Sequence, residues 1–208
     1  MKYDIVAFDF DGTLADTLPW IDSILEEVAN KYGFRKPNAA DKALMRQYDI
    51  QNILKLLGIP LWKLPAILTY IRRLMQEIEP SVQLFDGMPA MLVELKAAGL
   101  HLAVVSSNSL TNVQRVLGPE ISQLFDDFLC GAHLFGKPAK ILRLLRRYAA
   151  VPTRLLLVGD EIRDIDAARK VGVCIGCGAW GYNNINTLCG HTPDEIFTRV
   201  TELRTLLN

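Results

Sequence analysis

Beyond residue 80 the chain alternates between two periodicities, and this alternation constrains its fold more than any other feature. Residues 88–98 (MPAMLVELKAA) have helical spacing and end on Gly99, a residue suited to the left-handed turn that closes a helix. "LHLAVV", ending at Val105, follows as a continuous apolar run. Residues 139–149 place Ile141, Leu142, Leu144, Leu145 and Tyr148 on one stripe, with Arg143, Arg146 and Arg147 mostly facing out. "RLLLV" before Gly159 reads as a buried strand, "DIDAARKVG" as a helix ending in glycine, and "VCIG" as a further strand. Parallel strands need crossover connections, and helices supply them on both faces of the sheet. The expected fold class is α/β, a doubly wound parallel sheet with a Rossmann-like core.

Residues 18–80 break the alternation. They contain helical stretches at 20–32, 41–57 and 61–78, punctuated by Pro37, Gly58, Pro60 and Pro65, and no convincing strand. The simplest organisation is an α/β core formed by residues 1–17 and 81–208, with residues 18–80 inserted as an all-helical cap over the strand ends.

Composition narrows the function classes. Half of the 208 residues are hydrophobic, enough for a substantial core. The 23 basic and 23 acidic residues cancel, leaving no electrostatic footprint for nucleic acid or an anionic membrane. No apolar run approaches the ~20 residues of a membrane span, and the N-terminus has no signal-peptide pattern. A cytoplasmic protein is expected, and its 4 cysteines suit a reducing compartment.

In doubly wound sheets, reactive groups gather where strands end at the carboxyl edge. The first strand, within "DIVAFDFDGTLADT", runs into Asp9 and Asp11 and turns at once on Gly12 and Thr13. Ser106, Ser107 and Asn108 follow the second strand, "LFGKPAK" offers Lys137, and "GDEIRD" offers Asp160, Glu161 and Asp164. Paired acids at a strand end repel, so a cation is the obvious compensation. Each residue type has a task if the substrate is a phosphate ester. Hard oxygen ligands suit Mg²⁺. One carboxylate can attack phosphorus, and another two residues on can move the proton. A hydroxyl and an ammonium can position the phosphoryl group and neutralise its charge.

"DFDGTLADT", "VVSSN", "GKP" and "GDEIRDIDAARKVGV", in this order, resemble the four motifs of the haloacid dehalogenase superfamily. The phosphoglycolate-phosphatase-like branch, with a helical cap after the first motif, is the most similar, and "AWGYNN" resembles that branch's loop after the last core strand. The resemblance implies Asp9 as nucleophile and Asp11 as general acid/base. It implies phosphate binding by Ser106 and Lys137; Ser107 and Asn108, beside Ser106, are candidates to add backbone N–H groups to the phosphate site. Mg²⁺ would lie on Asp9, the Asp11 backbone carbonyl and Asp160, with Asp164 in support. An acid two residues after the nucleophile marks the phosphotransferases of that superfamily, so Asp11 argues against carbon–halogen cleavage. The implied activity is Mg²⁺-dependent phosphomonoester hydrolysis through an aspartyl phosphate. The expected partner is a small phosphorylated metabolite, with 2-phosphoglycolate the first guess; oligomeric state is not legible. A sugar-phosphate mutase of the same fold and a catalytically idle binding module are the alternatives.

Other patterns compete for the same residues. Lys137 is favoured as the phosphate ligand, with Lys140 as the alternative and a solvated loop lysine as the bland reading of Lys137. "GCGAWG" at 176–181 matches a dinucleotide-binding pattern, yet "YNNINTL" is a poor helix opening and little chain remains for a βαβ unit. Cys174, Cys177, Cys189 and His191 could supply zinc ligands, although Cys174 lies in an apolar strand; no zinc is expected. His101 and His133 lack the nucleophile elbow of a serine hydrolase. Arg46, Gln51, Arg72 and Arg73 are candidate readers of the substrate, although for each one separately the solvated face of an amphipathic helix is the favoured account.

Overall fold

The computed structural model describes residues 1–77, 82–131 and 136–208. Its six strands form one parallel sheet: β1 (Ile5–Phe8), β2 (His101–Val105), β3 (Asp127–Leu129), β4 (Leu155–Gly159), β5 (Cys174–Gly178) and β6 (Glu195–Phe197). Their spatial order is β3-β2-β1-β4-β5-β6, so the chain reverses its direction of winding between β1 and β4. Ligands of such sheets bind in the crevice at this reversal. Alternation of side chains explains the two layers of core. Val6, Phe8, Leu156 and Val158 face one hydrophobic cluster, while Ile5, Ala7, Leu155 and Leu157 face the other.

The crossover helices are α5 (Met88–Ala97), α6 (Leu110–Ser122), α7 (Lys137–Arg147), α8 (Ile162–Val171) and the short α9 (Ile185–Gly190). In α7, Ile141, Leu144 and Leu145 are buried as their spacing predicts, but Leu142 is 40% exposed and does not belong to the stripe. The sequence reading missed α6, β3, α9 and β6. Strands of three residues carry too little periodicity to be recognised, and α6 is kinked at Gly118 and Pro119. The chain after β5 does continue through a helix into a sixth strand, contrary to the expectation that too little remained.

Residues 18–77 are helical: α1 (Leu18–Tyr32), α2 (Ala39–Met45), α3 (Ile50–Leu57) and α4 (Leu64–Glu77). The stretch read as one helix over 41–57 is two, because the Asp49 side chain accepts the Asn52 N–H and starts α3 afresh. Gly33 and Gly58 end α1 and α3 in the left-handed conformation that glycine adopts without strain. Trp20, Ile24 and Val28 of α1 and Ile67, Leu74 and Met75 of α4 join the cluster under the sheet. Polar contacts tie the segment to the carboxyl edge at two places. The Arg46 carbonyl accepts from the Asn184 N–H (2.9 Å) and Asn183 Nδ2 (3.1 Å) beyond β5. The Arg72 carbonyl accepts from Asn112 Nδ2 (3.1 Å) beyond β2. The helices therefore span the loops that flank β1 and β4. The expected boundary at 80/81 and the loop histidine His133 lie outside the described residues. Among those described, no single helix is long and apolar enough to cross a membrane.

Candidate active site

Asp9 is the first residue after β1 and is buried. Its N–H continues the sheet ladder to the Val158 carbonyl (2.8 Å), and its Oδ1 accepts the Phe10 N–H (2.7 Å). The chain then turns at Gly12, which has φ +77°. A Cβ there would be strained, and it would collide with the Asp160 carboxylate and the Tyr182 ring.

Asp160 follows β4 and faces Asp9 across the switch point. Its Oδ1 accepts from Thr13 Oγ1 (2.6 Å) and its Oδ2 from the Tyr182 N–H (2.8 Å). Asp164, in the first turn of α8, accepts the N–H groups of Asp160 and Glu161 through Oδ2, each at 3.1 Å. Lys137, the first residue of α7, is buried and pairs with both Asp9 and Asp164. It is not a solvated loop lysine. Lys140 donates to the carbonyls of Ser106 (2.5 Å) and Gly131 (3.2 Å), so its ammonium braces the loop after β2.

One carboxylate oxygen from each of Asp9, Asp160 and Asp164 falls within a 4.8 Å cluster. Burial, reinforced by the charges of Glu161, Asp164 and Asp9, pushes the Asp160 carboxyl well above the usual range. Burial also opposes ionisation of Asp164, but Lys137 and Arg163 outweigh it and hold that carboxyl below its ordinary value. Buried, oxygen-only donors with excess negative charge fit a hard divalent cation such as Mg²⁺.

The Asp11 side chain is not in that cluster. Its oxygens accept from Asn108 Nδ2 (3.1 and 3.2 Å), beside the loop after β2. Burial and the nearby charge of Asp9 push its pKa up to about 6. Ser106 and Ser107 are buried just past β2, and Ser106 Oγ accepts the Asn108 N–H (3.0 Å). The strand ends thus bring Asp9, Asp11, Ser106, Ser107, Lys137, Asp160 and Asp164 to one edge of the sheet.

Sequence reasoning overlooked Arg163. Its Nε and Nη2 donate to Glu161 Oε1 (2.9 and 2.5 Å), and Nη2 lies 3.8 Å from Asp9 Oδ2. The available signal was its place inside "GDEIRD", one residue before Asp164. Thr13 and the Tyr182 and Asn183 of "AWGYNN" had no role assigned from sequence; Asn183 Oδ1 accepts the Ile162 N–H (2.9 Å) at the start of α8. A cavity of about 180 Å³ opens beside Lys137 and Arg163, with Lys170 and Gln51 in its wall. Of the other candidate readers, Arg46 donates to the Gly181 carbonyl (3.0 Å), Arg73 pairs with Glu77 (3.3 Å) on the exterior, and Arg72 lies within electrostatic reach of Asp11.

The competing patterns have their own packing. Cys174 packs in one hydrophobic cluster and Cys177 in the other, on opposite faces of β5. The glycines of "GCGAWG" admit neighbours: a Cβ on Gly176 would meet Phe197, on Gly178 Trp180, and on Gly181 both Asp160 and the Gly12 carbonyl. Because the last clash includes backbone, Gly181→Ala is expected to cost about 1–3 kcal/mol and to lower activity by displacing Asp160. Thermal unfolding beside an activity assay checks this; an unchanged melting temperature would contradict the packing account.

The haloacid dehalogenase-like hydrolase model matches residues 6–177. A phosphoglycolate phosphatase from Synechococcus elongatus is 31% identical over 199 residues, covering 95% of this chain and 94% of the relative. A tyrosine-protein kinase, PtkA, from Mycobacterium tuberculosis is 28% identical over 182 residues, but the match spans only 62% of that protein. The fold superimposes on a haloacid dehalogenase-like family hydrolase from Streptococcus pneumoniae with a TM-score of 0.79 at 20% identity, covering 100% of this chain and 99% of the other. A family match over most of the chain, with residues of all four motifs at one sheet edge, makes this chain a member of the haloacid dehalogenase-like hydrolase family.

Proposed function

We propose that this phosphatase hydrolyses a small phosphomonoester through an aspartyl phosphate on Asp9, with Mg²⁺ as cofactor. The observation that carries the reading is the difference in surroundings between two neighbouring acids. Asp9 is buried and its carboxylate pairs with the Lys137 ammonium at the end of β1. Asp11 stands apart from the acidic cluster with a pKa near 6, suited to carrying a proton. An Asp9 oxygen attacks phosphorus as the ester P–O bond breaks, and the leaving alkoxide takes the Asp11 proton. Asp11 then accepts a proton from water as that water attacks the acyl phosphate, freeing inorganic phosphate and Asp9. Ser106, Ser107 and Lys137 position the phosphoryl oxygens. Asp9, the Asp11 backbone carbonyl and Asp160 would hold the Mg²⁺, with Asp164 in support; when bound, the cation neutralises charge on the phosphate and relieves repulsion among the acids.

Residues 18–80 act in this reading as a cap that excludes water from the crevice, supported by their contacts with the loops after β2 and β5. The similarity to the Synechococcus phosphoglycolate phosphatase supports 2-phosphoglycolate as substrate. Purified protein with Mg²⁺ is expected to release phosphate from 2-phosphoglycolate faster than from a panel of other phosphorylated metabolites. Excess chelator is expected to stop release, and added Mg²⁺ to restore it. Undiminished turnover in chelator would remove the cofactor from the proposal, and a preference for another ester would replace the substrate.

A further inference from the structure

We propose that Arg163 is a catalytic residue that grips the phosphoryl group as it passes to and from Asp9; this rests on Asp9 being the nucleophile. Three observations converge on this guanidinium. It is anchored, with Nε and Nη2 both donating to Glu161 Oε1 at 2.9 and 2.5 Å, so its plane is fixed from one side. It is adjacent to the reacting atom, with Nη2 3.8 Å from Asp9 Oδ2. And Nη1, on the far side of the fork, is buried with no hydrogen-bond partner among the described residues, while Arg163 lines an open cavity shared with Lys137.

A buried N–H of a charged group is costly to leave unmade, and native proteins keep such groups where a ligand completes them. Charge balance alone accounts for an arginine among Asp9, Glu161 and Asp164. It does not account for a fork with one donor withheld from all three. Lys137 does not duplicate this fork, because its ammonium is held between Asp9 and Asp164 and has a single further N–H to offer the phosphate. A tetrahedral phosphoryl group on Asp9 would lie beside Nη2 and within the reach of Nη1, so the fork meets two oxygens at once. The charge those oxygens carry in the transition state is what a pre-aimed guanidinium stabilises. Glu161 is the positioning residue that aims it.

The test uses the intact Mg²⁺-loaded enzyme. Arg163→Ala is expected to lower kcat about 10²-fold, to weaken binding of inorganic phosphate measured by calorimetry about tenfold or more, and to regain activity when guanidinium is added at millimolar concentration. Arg163→Lys, which keeps the charge and the pairing with Glu161 but not the fork, is expected to fall between parent and alanine enzyme, and it serves where the alanine protein does not fold. Glu161→Gln is expected to lower kcat less than Arg163→Ala does. A loss in Arg163→Ala that guanidinium does not relieve, with phosphate affinity intact, would assign Arg163 to charge balance alone. An Arg163→Lys enzyme as active as the parent would likewise overturn the proposal. Inactive Asp9→Asn beside undiminished Arg163→Ala removes only this inference; active Asp9→Asn removes the mechanism beneath it.

Discussion

Asp9→Asn is expected to abolish turnover of every phosphomonoester, a loss on the order of the ~10⁶ seen when an enzyme's nucleophile is removed. The amide is a poor nucleophile and a neutral donor, so both the covalent step and the charge offered to a cation disappear. The fold should not suffer with it. Asp9 is one of three buried carboxylates within 4.8 Å, and its charge is among the causes that push the Asp160 carboxyl upward. Removing that charge relieves repulsion, while Lys137 keeps Asp164 as a partner. In metal-free buffer the Asn variant should therefore melt at or above the temperature of the parent, the pattern of a site that holds strain for function. A variant that loses activity only because it unfolds would melt lower. A variant that still turns over would refute the role of Asp9 outright.

The sequence made the core of this site legible because its parts lie at strand ends. Asp9, Ser106 and Asp160 each follow a continuous apolar run, and in a doubly wound sheet such positions share one edge whatever the loops do. Lys137 was harder, since a helix start preceded by no clear strand gives weak anchorage, and β3 is only 3 residues long. What stayed hidden depends on side-chain direction rather than on order along the chain. Nothing in "DFDG" says that Asp11 turns towards Asn108 while Asp9 turns towards Lys137. Nothing in "GDEIRD" says that Arg163 folds back on Glu161 and reaches Asp9. The glycines of "GCGAWG" match a dinucleotide-binding pattern by spacing alone, whereas Gly181 clears space for Asp160 and the Gly12 carbonyl. The split of 41–57 into α2 and α3 turned on the Asp49 side chain capping a new helix, a local bond that apolar periodicity does not register.

Asp11→Asn is expected to behave differently from Asp9→Asn, and the difference should depend on the leaving group. Asp9 keeps its charge in this variant, and the Asp11 backbone carbonyl is untouched. The Asn108 amide, which now donates to both Asp11 oxygens at 3.1 and 3.2 Å, can still donate to the new carboxamide oxygen, so the local geometry should hold. Proton transfer is lost, a contribution of typically ~10²–10⁴ in rate. For an alkyl phosphate the alkoxide must leave without a proton, and formation of the aspartyl phosphate should carry that full loss. A nitrophenyl phosphate has a leaving group that needs no proton, so its first step should be largely spared. Its second step should not be, because the attacking water has lost the base that Asp11 supplies. Phosphoenzyme is then made faster than it is hydrolysed, and nitrophenol should appear in a burst of about one equivalent before a slow steady rate. Rapid acid quench and peptide mass spectrometry should place the added phosphate on Asp9. Equal losses for both esters, with no burst and no adduct, would show that Asp11 does not divide its work between acid and base in this way.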